Sequence, residues 1–213
     1  MVLTEEKRAE LLKLPTGNVA DSAGRNSVMD SRIKPIDPKS KMIGRAVPVE
    51  CFPGDNLALH QGMEAAKAGD VLVFDIKGFT EAGHFGDMMA TACKVKGIAG
   101  VVIDGSCRDS EDIRELGFPV FVKAFNPRGT VKESLGRVNV PIVCGGVTVN
   151  PGDIIYGDCD GVVVIPQEKE DEIFNKALKK YDYEIEVREK LLGGMSTMEV
   201  YGFDKLVEKK LAK

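Results

Sequence analysis

An arginine and an aspartate stand side by side at Arg108-Asp109, in the stretch "DGSCRD" of residues 104–109. The pair follows the apolar run "AGVVI" and precedes "SEDIRELG". A guanidinium is a planar fork that meets a carboxylate or phosphate through two parallel N–H bonds. An aspartate is a hard oxygen ligand suited to Mg2+ or Mn2+. Together the two could hold an anion and a cation at one place. The competing reading is that Asp109 caps a helix over "SEDIRELG" and Arg108 carries a solvated charge. About twenty residues earlier, the glycine-rich stretch "IKGFTEAGHFG" runs into "DMMATACKVKG". A helix starting near Asp87 would leave the backbone N–H groups of Asp87, Met88 and Met89 free, which is an anion site. The loop matches neither G-x-G-x-x-G nor the P-loop pattern. Pattern alone therefore points to an anion site without naming its ligand.

The elements around these residues must bring them together. "GDVLVFD", "IAGVVIDG" and "FPVFVKA" read as strands, the first two with continuous apolar runs suited to a sheet covered on both faces. "DMMATACKVKG", ending on Gly97, and "SEDIRELG" read as the helices between them. This βαβαβ order predicts parallel strands with right-handed crossovers. Ligands of such sheets bind beyond the carboxyl ends of the strands, where Asp75 to Gly86 and Asp104 to Asp109 lie.

Upstream, Thr4 caps a predicted helix through about Leu14, closed by Pro15. "TGNVADSAGR" reads as a second short helix, "SRIKPIDPKSK" as a loop, "MIGRAVPVE" as a strand and "GDNLALHQGMEAAKAG" as a helix. After Pro127, "VNVPIVCGGVTVNPGDIIYGDCDGVVVIP" has short strands broken by Gly, Pro, Asn and Asp, which suggests hairpins. From Gln167 to Leu192 the chain is charged and helical, with Ile173, Leu178, Tyr181, Ile185 and Leu192 as its apolar stripe, and a last helix starts near Glu199. The expectation is one mixed α/β domain over residues 1–213 with a helical tail from about 167.

Composition narrows the function. The 213 residues are 43% hydrophobic and 29% charged, ordinary values for a globular protein. A net charge of -4 gives no reason to expect nucleic acid as a partner. Residues 1–14 are charged throughout, which argues against a secretory leader, and no apolar run is long enough to span a membrane. The five cysteines have no metal-ligand spacing and fit a reducing cytoplasm. With only two histidines, a histidine-rich metal site is excluded.

The pieces "SRIKPI", "GRAVPVE", "AGDVLVFD", "GDMMATACKVKGIAGVVIDGSCRDSEDIRELGFPVF" and "PGDIIYGDCDGVVVIP", in this order, resemble the family of 4-hydroxy-4-methyl-2-oxoglutarate aldolase and the regulator of ribonuclease activity A. Older annotation often calls its members demethylmenaquinone methyltransferases. The resemblance covers most of the chain, from "TGNVADSAGR" to "GDCDGVVVIP". It implies a layered β/β/α fold like the swivelling phosphohistidine domain. It also implies a divalent-metal-dependent (class II) aldolase of 4-carboxy-2-keto acids, yielding pyruvate and also decarboxylating oxaloacetate. On that resemblance Gly86, Asp87, Met88 and Met89 contact the substrate. Arg108 binds its carboxylate, Asp109 ligates Mg2+ or Mn2+, and Asp87 holds metal-bound water. Asp87 acting through a water, or a carboxylate of another subunit, would be the base. A homotrimer or a dimer of trimers, with sites at subunit interfaces, is implied as well. The regulator branch typically lacks the aspartate after the arginine, and Asp109 is present here. A non-catalytic regulator of an RNA-processing enzyme is the alternative. A methyltransferase is the weakest reading, since no glycine-rich motif for S-adenosylmethionine follows the first strand.

Other residues carry two readings each. His84 could touch the far end of a substrate or simply be exposed at the loop rim. His60 reads as structural. Cys107 reads as a small residue at a strand end, with no base to make it a nucleophile. Asp21 reads as a helix cap or as part of the pocket wall. Asp158 and Asp160 read as turn residues, and Lys77 as exposed.

Overall fold

The computed structural model describes residues 3–212, and at its centre is a curled sheet whose two faces take alternate residues. Strand β1 (Lys34–Pro35) is followed by β2 (Met42–Glu50), α3 (Leu57–Ala65), β3 (Asp70–Asp75), α4 (Asp87–Val95), β4 (Gly100–Cys107), α5 (Ser110–Leu116) and β5 (Val120–Phe125); two helices, α1 (Glu5–Leu11) and α2 (Thr16–Ala23), precede them. The βαβαβ expectation is met: β2 pairs parallel with β3, β3 with β4, and β4 with β5. After β5 come β6 (Arg137–Val138), β7 (Ile142–Cys144), β8 (Val147–Val149), β9 (Ile154–Asp158) and β10 (Gly161–Ile165). The expected hairpins are β7–β8 and β9–β10. The sheet order is β1-β5-β4-β3-β2-β9-β10, with β6 on β2. It curls far enough that Lys34 on β1 reaches the Asp160 carbonyl beside β10, its Nζ donating at 2.5 Å.

The period-2 alternation of the strands sorts the core into layers. Val71, Val73, Val102 and Phe121 point to the concave side, where they pack with Ile155, Val164 and the β7–β8 hairpin. Leu72, Phe74, Val101 and Ile103 point the other way, under Leu59, Ala90 and Ile113 of α3, α4 and α5. A third cluster joins Leu11, Leu14 and Val19 to Ile43, Tyr156 and Ile165 on the outside of β9 and β10. The layered α/β class with a helical tail is thus the one observed.

Three sequence expectations are adjusted. Thr4 does cap α1, accepting from the Lys7 N–H at 3.2 Å. The α-helix stops at Leu11, not near Leu14; the chain then tightens, with the Lys13 and Leu14 N–H groups donating to the Glu10 and Leu11 carbonyls at 3.2 and 2.9 Å, before Pro15. The Tyr156 hydroxyl contacts the Leu11 and Leu14 carbonyls, each at 2.7 Å. The tail helix α6 (Glu170–Leu192) buries Ile173, Phe174, Ala177 and Val187, while Ile185 and Leu192 are exposed. Most of the buried side chains lie in its first half, with Val187 alone beyond, so a stripe continued evenly along the whole helix overshoots. The last helix is two short ones, α7 (Thr197–Tyr201) and α8 (Phe203–Leu211), separated by Gly202 at φ 66°. No helix of the described residues is long and apolar enough to cross a membrane.

Candidate active site

The loop after β3 runs back along the end of β4, and main-chain hydrogen bonds hold it there. The His84 N–H donates to the Ser106 carbonyl at 3.1 Å, and the Arg108 N–H donates to the Phe85 carbonyl at 2.9 Å. The buried Ser106 hydroxyl lies 2.5 Å from the Ala82 carbonyl. Gly83 is needed for this close approach: a Cβ on it would stand 2.8 Å from the Arg108 Cβ. A bulge in the β4–β5 pairing between Ile103 and Ser106 shifts the register just before the site residues.

The consequence is that the start of α4 meets the end of β4. Gly86 is the N-cap residue of α4, and Asp87 opens its first turn. The Asp109 carboxylate lies beside them, with its Oδ2 accepting from the Asp87 N–H at 3.4 Å. A Cβ on Gly86 would sit 2.5 Å from that oxygen. Arg108 Nε is 3.3 Å from the same Oδ2, and its side chain is 47% exposed. Asp109 occupies the N-cap position of α5 but makes no capping bond there; its backbone is left-handed, at φ 56° and ψ 40°. That conformation costs a residue with a Cβ about 1–2 kcal/mol. It accompanies a carboxylate turned away from its own helix and toward α4. The helix-cap reading of Asp109 therefore fails for α5.

Gly86, Asp87, Met88, Met89 and Arg108 all line one cavity of about 240 Å3, with Asp109 beside it. The Met88 and Met89 amides belong to the first turn and have no partner within the helix. All six residues singled out from the sequence are thereby brought together. Sequence reasoning missed the other wall. Asn56, His60, Thr130 and Lys132 also line the cavity. His60, read as structural, stands exposed at the cavity, and partial burial and the charge of Lys132 push its pKa down. No spacing in the sequence links residues 56–60 or 129–132 to the Arg-Asp pair. The only signals are two prolines and two glycines around them, which mark loops.

His84 is a further correction. It is fully buried, not at an exposed loop rim, and it lines the same cavity beside Gly83 and Gly86. Its Nε2 accepts from the Gly54 N–H at 2.9 Å, which places the proton of the neutral ring on Nδ1. Burial pushes its pKa down, partly offset by nearby carbonyls of Ser106 and Ala82. Its ring meets Phe79 edge-on, with centroids 5.8 Å apart. Asp21 is corrected too: it lies inside α2, exposed and paired with Lys180, and is neither a cap nor a wall of this cavity.

The remaining residues fall as expected from local chemistry. Cys107 is buried in the last position of β4, and burial pushes its thiol up to about 12, which suits packing and not attack. Lys77 is half-exposed and bonds the buried Asp75 carboxylate at 2.5 Å. Asp158, Cys159 and Asp160 bring three donor atoms near one another. The Asp158 oxygens are already engaged, accepting from the Thr16 N–H at 2.9 Å, the Thr16 hydroxyl at 2.6 Å and the Asp160 N–H at 2.9 Å. That carboxylate caps α2 from across the fold and shapes its own turn.

Several known proteins are similar to this chain in sequence and in fold. A family model described as RraA-like, Aldolase/RraA, matches residues 16–164. A Halalkalibacterium halodurans protein named "putative 4-hydroxy-4-methyl-2-oxoglutarate aldolase" is 40% identical over 78% of this chain and 80% of its own. Among solved structures, Streptomyces coelicolor RraAS2, described as an unusual member of the RNase ES inhibitor RraA family, superposes with a TM-score of 0.77 at 30% identity, covering 88% of this chain and 98% of that one. The RNA-processing inhibitor RraA from Thermus thermophilis superposes with a TM-score of 0.65 at 30% identity, covering 71% and 92%. Since the family model spans more than half of the sequence, the chain belongs to the Aldolase/RraA family.

Proposed function

We propose that the cavity is the active site of a divalent-metal-dependent carbon–carbon lyase. It cleaves 4-carboxy-2-keto acids of the 4-hydroxy-4-methyl-2-oxoglutarate kind to pyruvate, and it decarboxylates oxaloacetate. The observation that carries this reading is the convergence of Arg108 and Asp109, from the end of β4, on Gly86 and Asp87 at the start of α4. The 40% identical relative named for such an aldolase supports the same class.

The residues present fit a hard divalent ion, Mg2+ or Mn2+. Asp109 offers a part-exposed carboxylate that its own helix does not use, and the missing side chain of Gly86 leaves room beside it. Asp87 is a second oxygen donor next to it. A metal bound there would supply positive charge against the oxyanion that develops as the carbon–carbon bond breaks. The chain supplies the rest. Arg108 grips the 2-keto acid carboxylate through its planar fork. The first-turn amides of Met88 and Met89 face the same negative charge. Lys132 brings a second cation to the cavity, suited to the carboxylate at the far end of the substrate. Asp87 accepts the proton of the 4-hydroxyl, directly or through a water. Aldol cleavage and oxaloacetate decarboxylation share this machinery because both leave pyruvate enolate.

The test is release of pyruvate from oxaloacetate by purified protein, with Mg2+ and after chelation. Release that stops in chelator and returns with Mg2+ is expected. Asp109→Asn should abolish it, and should weaken Mn2+ binding measured by calorimetry, while the melting temperature stays within a few degrees. Wild-type turnover in Asp109→Asn would remove that residue from the site. The similarity to the Thermus RNA-processing inhibitor motivates a second reading, a non-catalytic regulator binding an RNA-processing enzyme. No pyruvate release across a panel of 2-keto acids would favour it.

A further inference from the structure

The segment 127–136, which carries Thr130 and Lys132 to the cavity, has no regular structure, and its residues are exposed or only half-buried. Apolar burial does not hold it, yet it closes one side of the cavity. Its attachments are polar and converge on one turn. Val131 pairs with Asp55 as an isolated bridge: the Asn56 N–H donates to the Val131 carbonyl at 3.1 Å, and the Val131 N–H donates to the Gly54 carbonyl at 3.0 Å. Beyond that bridge, Asp55 Oδ2 accepts from the Glu133 N–H at 2.8 Å and from the Ser134 N–H at 2.7 Å. Asp55 Oδ1 accepts from the Leu57 N–H at 2.9 Å, at the first turn of α3. The Asp55 carboxylate is thus engaged at both oxygens, by three main-chain donors and also by the Ser134 side chain, and the residue is only 3% exposed.

We propose that Asp55 is the positioning residue of the cavity: its carboxylate ties the 129–134 segment to α3 and so sets where Lys132 meets the far end of the substrate. Burial alone would favour the protonated acid, but the bonds from Leu57, Glu133 and Ser134 outweigh it and hold the carboxyl below its ordinary range. The ionised form is the one that fits, because it accepts at both oxygens. An asparagine of the same shape accepts at only one and would set its NH2 against N–H donors on the other. Gly54 connects this turn to the site from below, through its N–H bond to His84 Nε2. The anchoring stands on the hydrogen bonds alone; its kinetic consequence rests on the lyase reading.

Hydrogen exchange followed residue by residue, together with steady-state kinetics, separates the two. In the wild-type protein the Glu133 and Ser134 amides should exchange at least about tenfold more slowly than those of their neighbours Lys132 and Leu135, as expected of bonds to a charged acceptor. In Asp55→Asn that protection should be lost, while amides of β3 and β4 keep theirs. The same variant should raise KM for oxaloacetate by roughly tenfold or more with kcat changed by less than about threefold. Lys132→Ala should raise KM similarly but leave Glu133 and Ser134 protected. Wild-type protection in Asp55→Asn, or a fall in kcat with KM unmoved, overturns the proposal. Should Asp55→Asn not fold, the wild-type exchange rates decide: Glu133 and Ser134 amides exchanging as fast as their neighbours would overturn the anchoring. Loss of protection in a protein that turns over no keto acid would sustain the anchoring and defeat the lyase reading instead.

Discussion

Gly86 is the residue whose missing side chain makes the cavity possible. Its position at the start of α4 brings the backbone so near Asp109 that a methyl group would overlap the carboxylate, 2.5 Å from Oδ2. Gly86→Ala should therefore leave the fold intact, because the backbone angles there are extended and open to any residue. It should cost about 100-fold in kcat/KM, the usual scale for an ångström of misplacement among reacting groups. Pyruvate release measured beside a thermal melt checks this, and an alanine variant with wild-type kcat/KM would show that Asp109 is not needed where it stands. At this scale the sequence was informative only where chemistry is written in neighbours. Arg108-Asp109 and Gly86-Asp87 are adjacent pairs at predicted element ends, so their meeting could be anticipated. His60 and Lys132 could not be, because they come from segments about seventy residues apart that only the folded chain brings to one cavity. Asp55 was equally silent, since an aspartate before a helix reads as a cap, and its bonds to Glu133 and Ser134 are long-range.

At the scale of elements, strands and helices with strong periodicity were legible: β2, β3, α4, β4 and α5 lie where the apolar patterns put them. The two-residue strands β1 and β6 were not, because a pair of residues has no period, and their pairing with β5 and β2 is a property of the sheet. The overshoot of the α6 stripe has a similar cause, since helical period does not say where a neighbouring core ends. In the loop between β3 and α4, His84 had two readings, on the substrate or exposed at the rim, and in fact the residue is fully buried. That burial predicts a pH dependence. His84 has its folded pKa below the ordinary value of 6.5, so the unfolded chain takes up the proton first as pH falls. Its contribution is fully present above about pH 6.5 and is lost progressively below it. Melting temperature should therefore fall between pH 7 and pH 5.5, a window in which the two histidines are the main side chains to titrate. His84→Gln, whose amide oxygen can still accept from Gly54, should flatten that decline. An unchanged slope in the variant would assign the dependence elsewhere.

At the scale of the whole molecule the cavity is too open for the chemistry proposed for it. The Arg108 side chain is 47% exposed, and Met88, Phe52, Val131 and Leu135 expose large apolar groups on or beside the segments that form the walls. An oxyanion forming in that setting would be solvated by water instead of by fixed charges, and the advantage of a preorganised site would shrink. Apolar side chains gathered at a rim are also what a subunit interface covers. A second such strip runs along α8, where Phe203, Leu206 and Val207 are all exposed. The family resemblance implies a homotrimer or a dimer of trimers, and a neighbouring chain over the rim would both dry the cavity and offer it a further carboxylate. Sedimentation equilibrium at assay concentration should accordingly give a mass of three or six times the 23.1 kDa chain. Leu135→Glu, which puts a charge on the rim without touching Arg108 or Asp109, should shift that mass downward and lower kcat/KM in parallel. If the charged variant sediments as a single chain and keeps full activity, one chain is sufficient, and the open rim must close by some movement of its own walls.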